Sequence, residues 1–540
     1  MNKYVSLALA CILFVCGASF AGYLQLIVKI PLIYPVGLIL GALIAEFYLW
    51  SATKNYRLMA WGFILVLLLF VVASFMHDYS SDGQWYHMPA MMSLGYGWNP
   101  FYEHFDTVAG SFWPSVYPKA FWMLGGEIFA ITGSLLAGKA AHLILAIALY
   151  ILSFDVVNRF GKLNISRFWQ HMIAFILSFS PVVGAQIFTS YVDAFVYDLM
   201  LAMLYIWLYA HYKLLSFKWA ALFLLVTTSF LVNLKFTAVG YAGILWLGLL
   251  HATYLYDRLN IKRIFCLSAV SMVVSIFVIG FNPYVTNFID NGHPFWPVRG
   301  NHDIENVMLS VADDTFLQQN RVIKLIESNF AYMSDEHQAS LSTIEYKIPG
   351  MIDKQEKRFM ATYPDRRLAG FGAWFSLALV IAFIIAAVMI YKRDKWNGYS
   401  LLIFWLLVSV LINPECWHAR YAPQLAALPI LIALAALTNN RLKHLTSALL
   451  VVLALNSAMF LGGHIGSQYV FDKRITTQMK ELKKSAPVEV YDDGVNPAFF
   501  ITRFDYFNVP YVKVPKDDSR NYTTLVFGFG AGDKLRIYEP

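Results

Sequence analysis

The sequence predicts an α-helical polytopic membrane protein with about 13 transmembrane helices, interfacial helices and a small α/β outer C-terminal domain. Three observations carry this expectation. Of the 540 residues, 58% are hydrophobic and only 14% charged, with mean hydropathy +0.54, whereas soluble globular chains run at about 25% charged. Many apolar stretches reach the roughly 20 residues that cross a bilayer as a helix. The formal charge of +7 collects in short loops, as membrane orientation requires, so no nucleic-acid partner is needed to explain it.

The predicted spans are 5–29, 32–50, 58–76, 139–157, 168–189, 193–212, 217–232, 236–256, 262–283, 369–391, 399–412, 420–438 and 445–464. The start of the chain has features of a signal peptide, with small residues at Cys16-Gly17-Ala18-Ser19. The apolar run continues to Ile30, however, which suits an uncleaved first span. Lys54 and Arg57, Arg159 and Arg167, Lys213 and Lys218, Arg258 to Arg263, Lys392 to Lys395, and Arg441 with Lys443 then fall on one face. Positive loops mark the cytoplasmic side, which puts the N-terminus inside and the C-terminus outside.

The chain divides accordingly into 1–76 (N-terminal transmembrane helices), 77–138 (an outer loop with interfacial helices) and 139–283 (a transmembrane core). These are followed by 284–368 (a second outer loop), 369–464 (C-terminal transmembrane helices) and 465–540 (an outer α/β domain). Residues 116–135 are apolar enough to span, but counting them would invert every later loop. They are expected to be interfacial or re-entrant. The second loop shows helical spacing from about Phe316 to Tyr346, at Val322, Leu325, Ile326 and Phe330. The tail reads as strands at 488–491, 511–514, 523–527 and 535–538, with a helix from about 473 to 484. Cys11, Cys16, Cys266 and Cys416 are scattered and form no disulfide or metal-thiolate framework.

Four polar features fall on the outer face. The first loop carries Asp78, Asp82, Tyr86, His87, Glu103, His104 and Asp106 directly after an apolar run. Thr189-Ser190-Tyr191-Val192-Asp193 is a tight turn between spans. Lys235 stands alone between two apolar runs, and His418 and Arg420 lie in Asn413 to Pro423. Ionisable groups at the mouth of apolar segments are costly unless water or a ligand meets them. Acids beside isolated cations suit deprotonation of an alcohol next to a gripped phosphate. Each has a plain alternative: Asp193 as a helix cap, Lys235 snorkelling, Arg420 paired with Glu415, Tyr86 as an interface aromatic. Histidines among carboxylates admit a divalent metal, Mg or Mn, though no spacing is diagnostic. The spans themselves read as clean of polar groups, which argues against a transporter or flippase.

Asp82-Gly-Gln-Trp-Tyr86-His87-Met-Pro89 resembles the Asp-x-x-x-Tyr-His-x-Pro pattern in the first large outer loop of the GT-C superfamily of membrane glycosyltransferases. His293-Pro294-Phe295-Trp296-Pro297 resembles a His-Pro-Phe-Tyr-Pro element of a later outer loop. Ala419-Arg420-Tyr421-Ala422-Pro423 resembles the Arg-Tyr-x-x-Pro start of a late span. The resemblance implies transfer of a sugar from a polyprenyl-phosphate donor to a glycan, lipid or protein acceptor at the outer face of the plasma (inner) membrane, facing the periplasm. It makes Asp82 the base of an inverting displacement and Arg420 a phosphate-binding group. Lys235 would join Arg420, while Asp78, Tyr86, His87, Glu103, Asp193, His293 and His418 would complete the substrate site. Alternatives are a lipid-linked glycan polymerase or ligase, a transporter or flippase, and a non-catalytic assembly protein.

Overall fold

The computed structural model describes residues 2–105, 113–160, 165–300, 314–332, 344–396, 398–437, 439–492, 498–515, 520–526 and 534–538. In chain order, α1 (Lys3–Ile27), α2 (Val36–Thr53) and α3 (Tyr56–Ser74) lead into the loop that carries Asp82. That loop contains α4 (Met88–Gly95) and α5 (Ala120–Thr132). Then come α6 (Ala137–Phe160), α7 (Arg167–Ser178), α8 (Pro181–Gln186), α9 (Asp193–His211), α10 (Phe217–Val232), α11 (Phe236–Tyr256) and α12 (Arg258–Ile279). The second loop contributes α13 (Arg321–Phe330) and α14 (Lys354–Thr362). The chain re-enters the bundle with α15 (Phe375–Tyr391), α16 (Tyr399–Leu411), α17 (Pro423–Ala436) and α18 (Lys443–Leu482). Eight of these helices, α1, α2, α3, α6, α9, α11, α12 and α18, are long and apolar enough to cross a membrane.

Small residues set the closest helix contact. Gly37 and Gly41, one turn apart on α2, face Gly22 and Ala18 of α1; a Cβ on Gly37 would meet the Gly22 nitrogen at 2.5 Å, and one on Gly41 the Ala18 nitrogen at 2.6 Å. Only glycine lets the backbones approach so closely. The start of α2 is capped from elsewhere: Gly37 N–H donates to Gln25 at 3.0 Å and Leu38 N–H donates to Glu127 of α5. With 13 residues, α5 is ~20 Å long, short of the ~30 Å hydrocarbon core. It packs across the ends of α2 and α10, where Ala120 N–H donates to the Asn233 carbonyl at 2.8 Å.

Four expectations need correction. The predicted span 168–189 is two helices, because Pro181 cannot continue α7 and instead starts α8. The predicted helix 473–484 is the far end of α18, a 40-residue helix that at ~60 Å extends well beyond a bilayer core. Phe471, Ile475, Met479 and Leu482 recur on one face of that extension and bury it against the sheet. The helix expected over 316–346 is shorter: it is formed at Asp314–Leu317 and Arg321–Phe330, and 333–343 lie outside the described residues. Nor are the spans free of polar groups. Glu46 lies on α2, and on α9 Asp198 is fully buried, neither carboxylate oxygen having a hydrogen-bond partner among the described residues.

The tail folds as β1 (Val488–Asp492), β2 (Tyr511–Pro515), β3 (Tyr522–Val526) and β4 (Lys534–Tyr538), in sheet order β2-β1-β4-β3. The β1–β2 pair is parallel, Val488 opposite Tyr511, and its crossover contains a helix, Ala498–Phe507, as parallel pairing requires.

Candidate active site

The site is built on the turn that follows α3. Residues 77–82 are tied down from two directions. On one side, His77 N–H donates to Asp472 at 2.7 Å and Gln468 donates to the His77 carbonyl at 2.7 Å, both from α18. On the other, Asp78 accepts from Ser80 N–H at 2.8 Å, Ser80 Oγ at 2.6 Å and Ser190 N–H at 2.6 Å, which links this loop to the turn before α9. Gly83 is required by the same geometry, since a Cβ there would lie 2.3 Å from Ser80 Oγ and 2.4 Å from Asp78 Oδ2. Asp78, expected to touch substrate, is thus a latch of the loop.

Asp82 emerges from that turn and accepts from Arg420 Nη2 at 2.7 Å. Arg420 is the hub. Its Nε donates to Asp193 at 2.9 Å and its Nη1 to Asp365 at 2.9 Å. Lys235 donates to the other oxygen of Asp193 at 2.6 Å, and Arg367 donates to Asp365 at 3.0 Å. Two backbone bonds place the hub: Arg420 N–H donates to the Arg366 carbonyl at 2.8 Å and Ala419 N–H to the Arg367 carbonyl at 3.3 Å. The rings of Tyr191 and Tyr421 lie under the cations, 4.4 Å from the Arg420 guanidinium and 3.8 Å from the Lys235 ammonium.

Three carboxylates therefore face three cations, and the cluster is charge-balanced. Among the described residues three of the five guanidinium N–H donors are used, which leaves two for an incoming anion. Side-chain exposure separates the carboxylates: Asp193 0%, Asp365 6%, Asp82 20%. Asp82 is the most accessible of the three. Burial works against the charge on Asp365, but the Arg367 and Arg420 guanidinium groups overcome it and hold that carboxyl well below the usual range. Arg420 likewise stays cationic against its burial because Asp193, Asp365 and Asp82 surround it. For Lys235 burial prevails over Asp193 and lowers the ammonium to about 8.

His87 accepts a 2.6 Å bond at Nδ1 from the Trp122 indole, and its Nε2 has no partner among the described residues. The indole assigns the proton to Nε2. Burial, with Arg420 adding to it, lowers the imidazole to about 3, so His87 is a neutral donor. Tyr86 packs among Trp113, Tyr117 and Trp122. His418 stacks on Tyr421 at 4.2 Å, kept neutral by burial and then by Arg367.

Two predicted site residues lie outside this cluster. Glu103 accepts from Asn99 N–H at 3.1 Å within its own loop, and His293 accepts from Phe295 N–H at 3.1 Å, fixing a local turn. Phe295 itself packs on Phe236, the residue after Lys235. Asp106 is outside the described residues. Among the alternatives, Arg420 does not pair with Glu415, whose partner is Lys324 at 3.4 Å. Asp193 makes no capping bond at the start of α9, and Lys235 turns to Asp193 in the interior. Sequence reasoning missed Asp365, Arg367 and Gln186, the last donating to Asp193 at 3.1 Å. Pro364-Asp365-Arg366-Arg367, a charged run just before a span, was the available signal. Among the described residues no three His, Cys, Asp or Glu side chains form a metal-binding group; the aspartates converge on a guanidinium, which fills the place a cation would take. Comparison with models of known families, with curated proteins and with solved structures finds no match.

Proposed function

We propose that the protein is a GT-C-type glycosyltransferase of the inner membrane, with thirteen spans and an active site facing the periplasm. It moves a sugar from a polyprenyl-phosphate donor to an envelope acceptor. The observation that carries this reading is the convergence of Asp82, Asp193, Lys235 and Arg420 from four distant stretches onto one cluster. A reachable carboxylate beside two buried cations is what this reaction needs. Asp82 accepts the proton of the acceptor hydroxyl as its oxygen attacks the anomeric carbon. The bond from that carbon to the phosphate oxygen breaks, and Lys235 and Arg420 stabilise the charge that grows on the departing phosphate. One displacement inverts the anomeric centre. His87 offers its Nε2–H to a sugar hydroxyl or a phosphate oxygen.

The test is sugar release and transfer from radiolabelled polyprenyl-phosphate sugars by purified protein, wild type against Asp82→Asn, with and without chelator. Transfer by wild type alone is the expected result. Equal transfer by both proteins removes Asp82 as base. No release from any monosaccharide donor by wild type favours a polymerase or ligase of lipid-linked glycans.

A second reading, transport, draws on Asp198 inside α9 and on the break between α7 and α8. Membrane-interior carboxylates and broken helices recur in transporters. Movement of a labelled lipid-linked sugar across proteoliposomes, without transfer, would favour it.

A further inference from the structure

The donor is only half of such a reaction, and a second membrane-facing feature bears on the acceptor. Helix α2 is pinned to α1 through Gly37 and Gly41, while α3 packs only lightly on both and little of it is buried within the protein. A crevice of about 440 Å³ remains between them, lined by Ala10, Phe14, Ala42, Phe63, Val66 and Phe70 among others. Small-molecule sites occupy roughly 300–1,000 Å³. The small side chains of Ala10 and Ala42 keep the space open, and its walls are apolar along the depth of three membrane-length helices.

One end of the crevice is defined by Ser74, Thr132 and Ala137. From Ser74 the chain needs only Phe75 and Met76 to enter the loop that carries Asp82. Lys139 fixes that junction by donating to the Met76 carbonyl, and to the Phe188 carbonyl at 3.0 Å. An apolar chain lying in the crevice therefore brings its polar end to the base of the Asp82 loop.

The lining also says which lipid fits. It contains no cation; Lys139, just beyond the end, is already bonded to two carbonyls. Its one carboxylate is Glu46, with Oε2 buried and without a hydrogen-bond partner among the described residues. The cations that suit a polyprenyl phosphate, Lys235 and Arg420, stand at a different wall of the bundle, beside α11 and the 413–422 turn. A phosphate-headed chain is thus drawn there and finds nothing to hold it here.

We infer that the crevice between α1, α2 and α3 seats an acyl chain of the acceptor, so that the acceptor hydroxyl belongs to a lipid-anchored molecule. This rests on the glycosyltransferase reading above. The test uses the full chain in nanodiscs with two photoreactive probes: a glucosyl-diacylglycerol carrying a diazirine in one acyl chain, and a polyprenyl phosphate carrying the same group. The acyl probe should label peptides of α1 to α3. Ala42→Phe, which fills the space, should reduce that labelling at least fivefold and raise KM for the same glycolipid as acceptor, with donor KM unchanged. Phe63→Ala, which widens the space, should keep the labelling. Labelling that ignores Ala42→Phe, or preferential labelling of the crevice by the polyprenyl probe, overturns the proposal. Labelling lost in Ala42→Phe with acceptor KM unchanged overturns the acceptor assignment and leaves an ordinary bilayer lipid. Crevice labelling that obeys the variants, with no sugar release by wild type from any donor, means the glycosyltransferase reading has failed, and the acceptor assignment with it.

Discussion

The Asp82 carboxylate and the Arg420 guanidinium meet at 2.7 Å across 338 residues of sequence, in the same fork that holds Asp193 and Asp365. Held this way, the proposed base is restrained until something shares the guanidinium. In the proposed reaction an incoming donor phosphate shares the Arg420 guanidinium with Asp82, loosens the hold on that carboxylate, and places negative charge beside it. All three effects favour proton transfer to Asp82 after the donor has bound. Asp82→Asn should lower transfer by about 10²–10⁴-fold, the usual weight of a general base. The same substitution should tighten donor binding, because a charge-assisted hydrogen bond is worth about 1.5–3 kcal/mol and the phosphate no longer competes for it. Equilibrium binding of radiolabelled donor checks the sign; weaker binding by the variant would show that Asp82 and phosphate do not share Arg420.

Asp193 should behave in the opposite manner. It is fully buried and holds Lys235, Arg420 and Gln186 together. Removing one partner from a buried ion pair typically costs about 3–5 kcal/mol. Asp193→Asn should therefore reduce thermal stability in detergent as well as activity, whereas Asp82→Asn, whose carboxylate is the more exposed, should reduce stability less. Arg420→Lys should not rescue function, since one ammonium cannot reproduce a planar fork that meets three carboxylates. Melting curves beside transfer rates separate the two aspartates.

The helix α18 and the tail domain should matter to catalysis although they hold none of the proposed reacting groups. Tyr79, three residues before Asp82, bonds His464 of α18 at 2.6 Å, and His464 bonds Arg366 at 2.6 Å. Arg503 of the tail domain donates to the Asp78 carbonyl. Tyr79→Phe removes one member of a buried network, where an unsatisfied partner costs about 1–3 kcal/mol. The expected result is a fall in kcat of about tenfold, the equivalent of 1.36 kcal/mol, with donor binding unchanged. A change confined to donor KM would instead tie Tyr79 to substrate.

The sequence made the apolar helices, the four strands and four of the six charged residues of the Arg420 cluster legible, because hydropathy and isolated charge beside apolar runs are local signals. Asp365 was overlooked for a physical reason: it closes a polar insertion where a carboxylate or a charged run needs no special explanation, and the backbone pairing of Arg366 with Arg420 carries it inward. Glu103 and His293 failed in the converse way. Both sit in motif-like surroundings, yet each satisfies a nearby backbone N–H, a use that sequence spacing cannot separate from substrate contact. Asp198 was hidden inside an apolar run long enough to span, whose hydropathy one carboxylate does not cancel.

Lys235 sets the pH limit. Burial lowers its ammonium to about 8, with the Asp193 carboxylate opposing that shift, so in the empty site it is charged below about pH 8 and neutral above. A neutral amine neither balances Asp193 nor attracts phosphate. The value kcat/KM reports the ionisation of free enzyme and substrate. It should therefore be sustained on the acid side of pH 8 and fall as pH rises through it, approaching tenfold per unit where Lys235 alone controls the step. Lys235→Arg supplies a group that stays protonated throughout this range. In that variant the alkaline fall should disappear, even if the maximum rate drops because a wider head replaces a point charge above Tyr421. A pH profile of kcat/KM from 6 to 10 (roughly two units either side of the expected midpoint) for both proteins decides it. An alkaline limb that survives in Lys235→Arg belongs to another group.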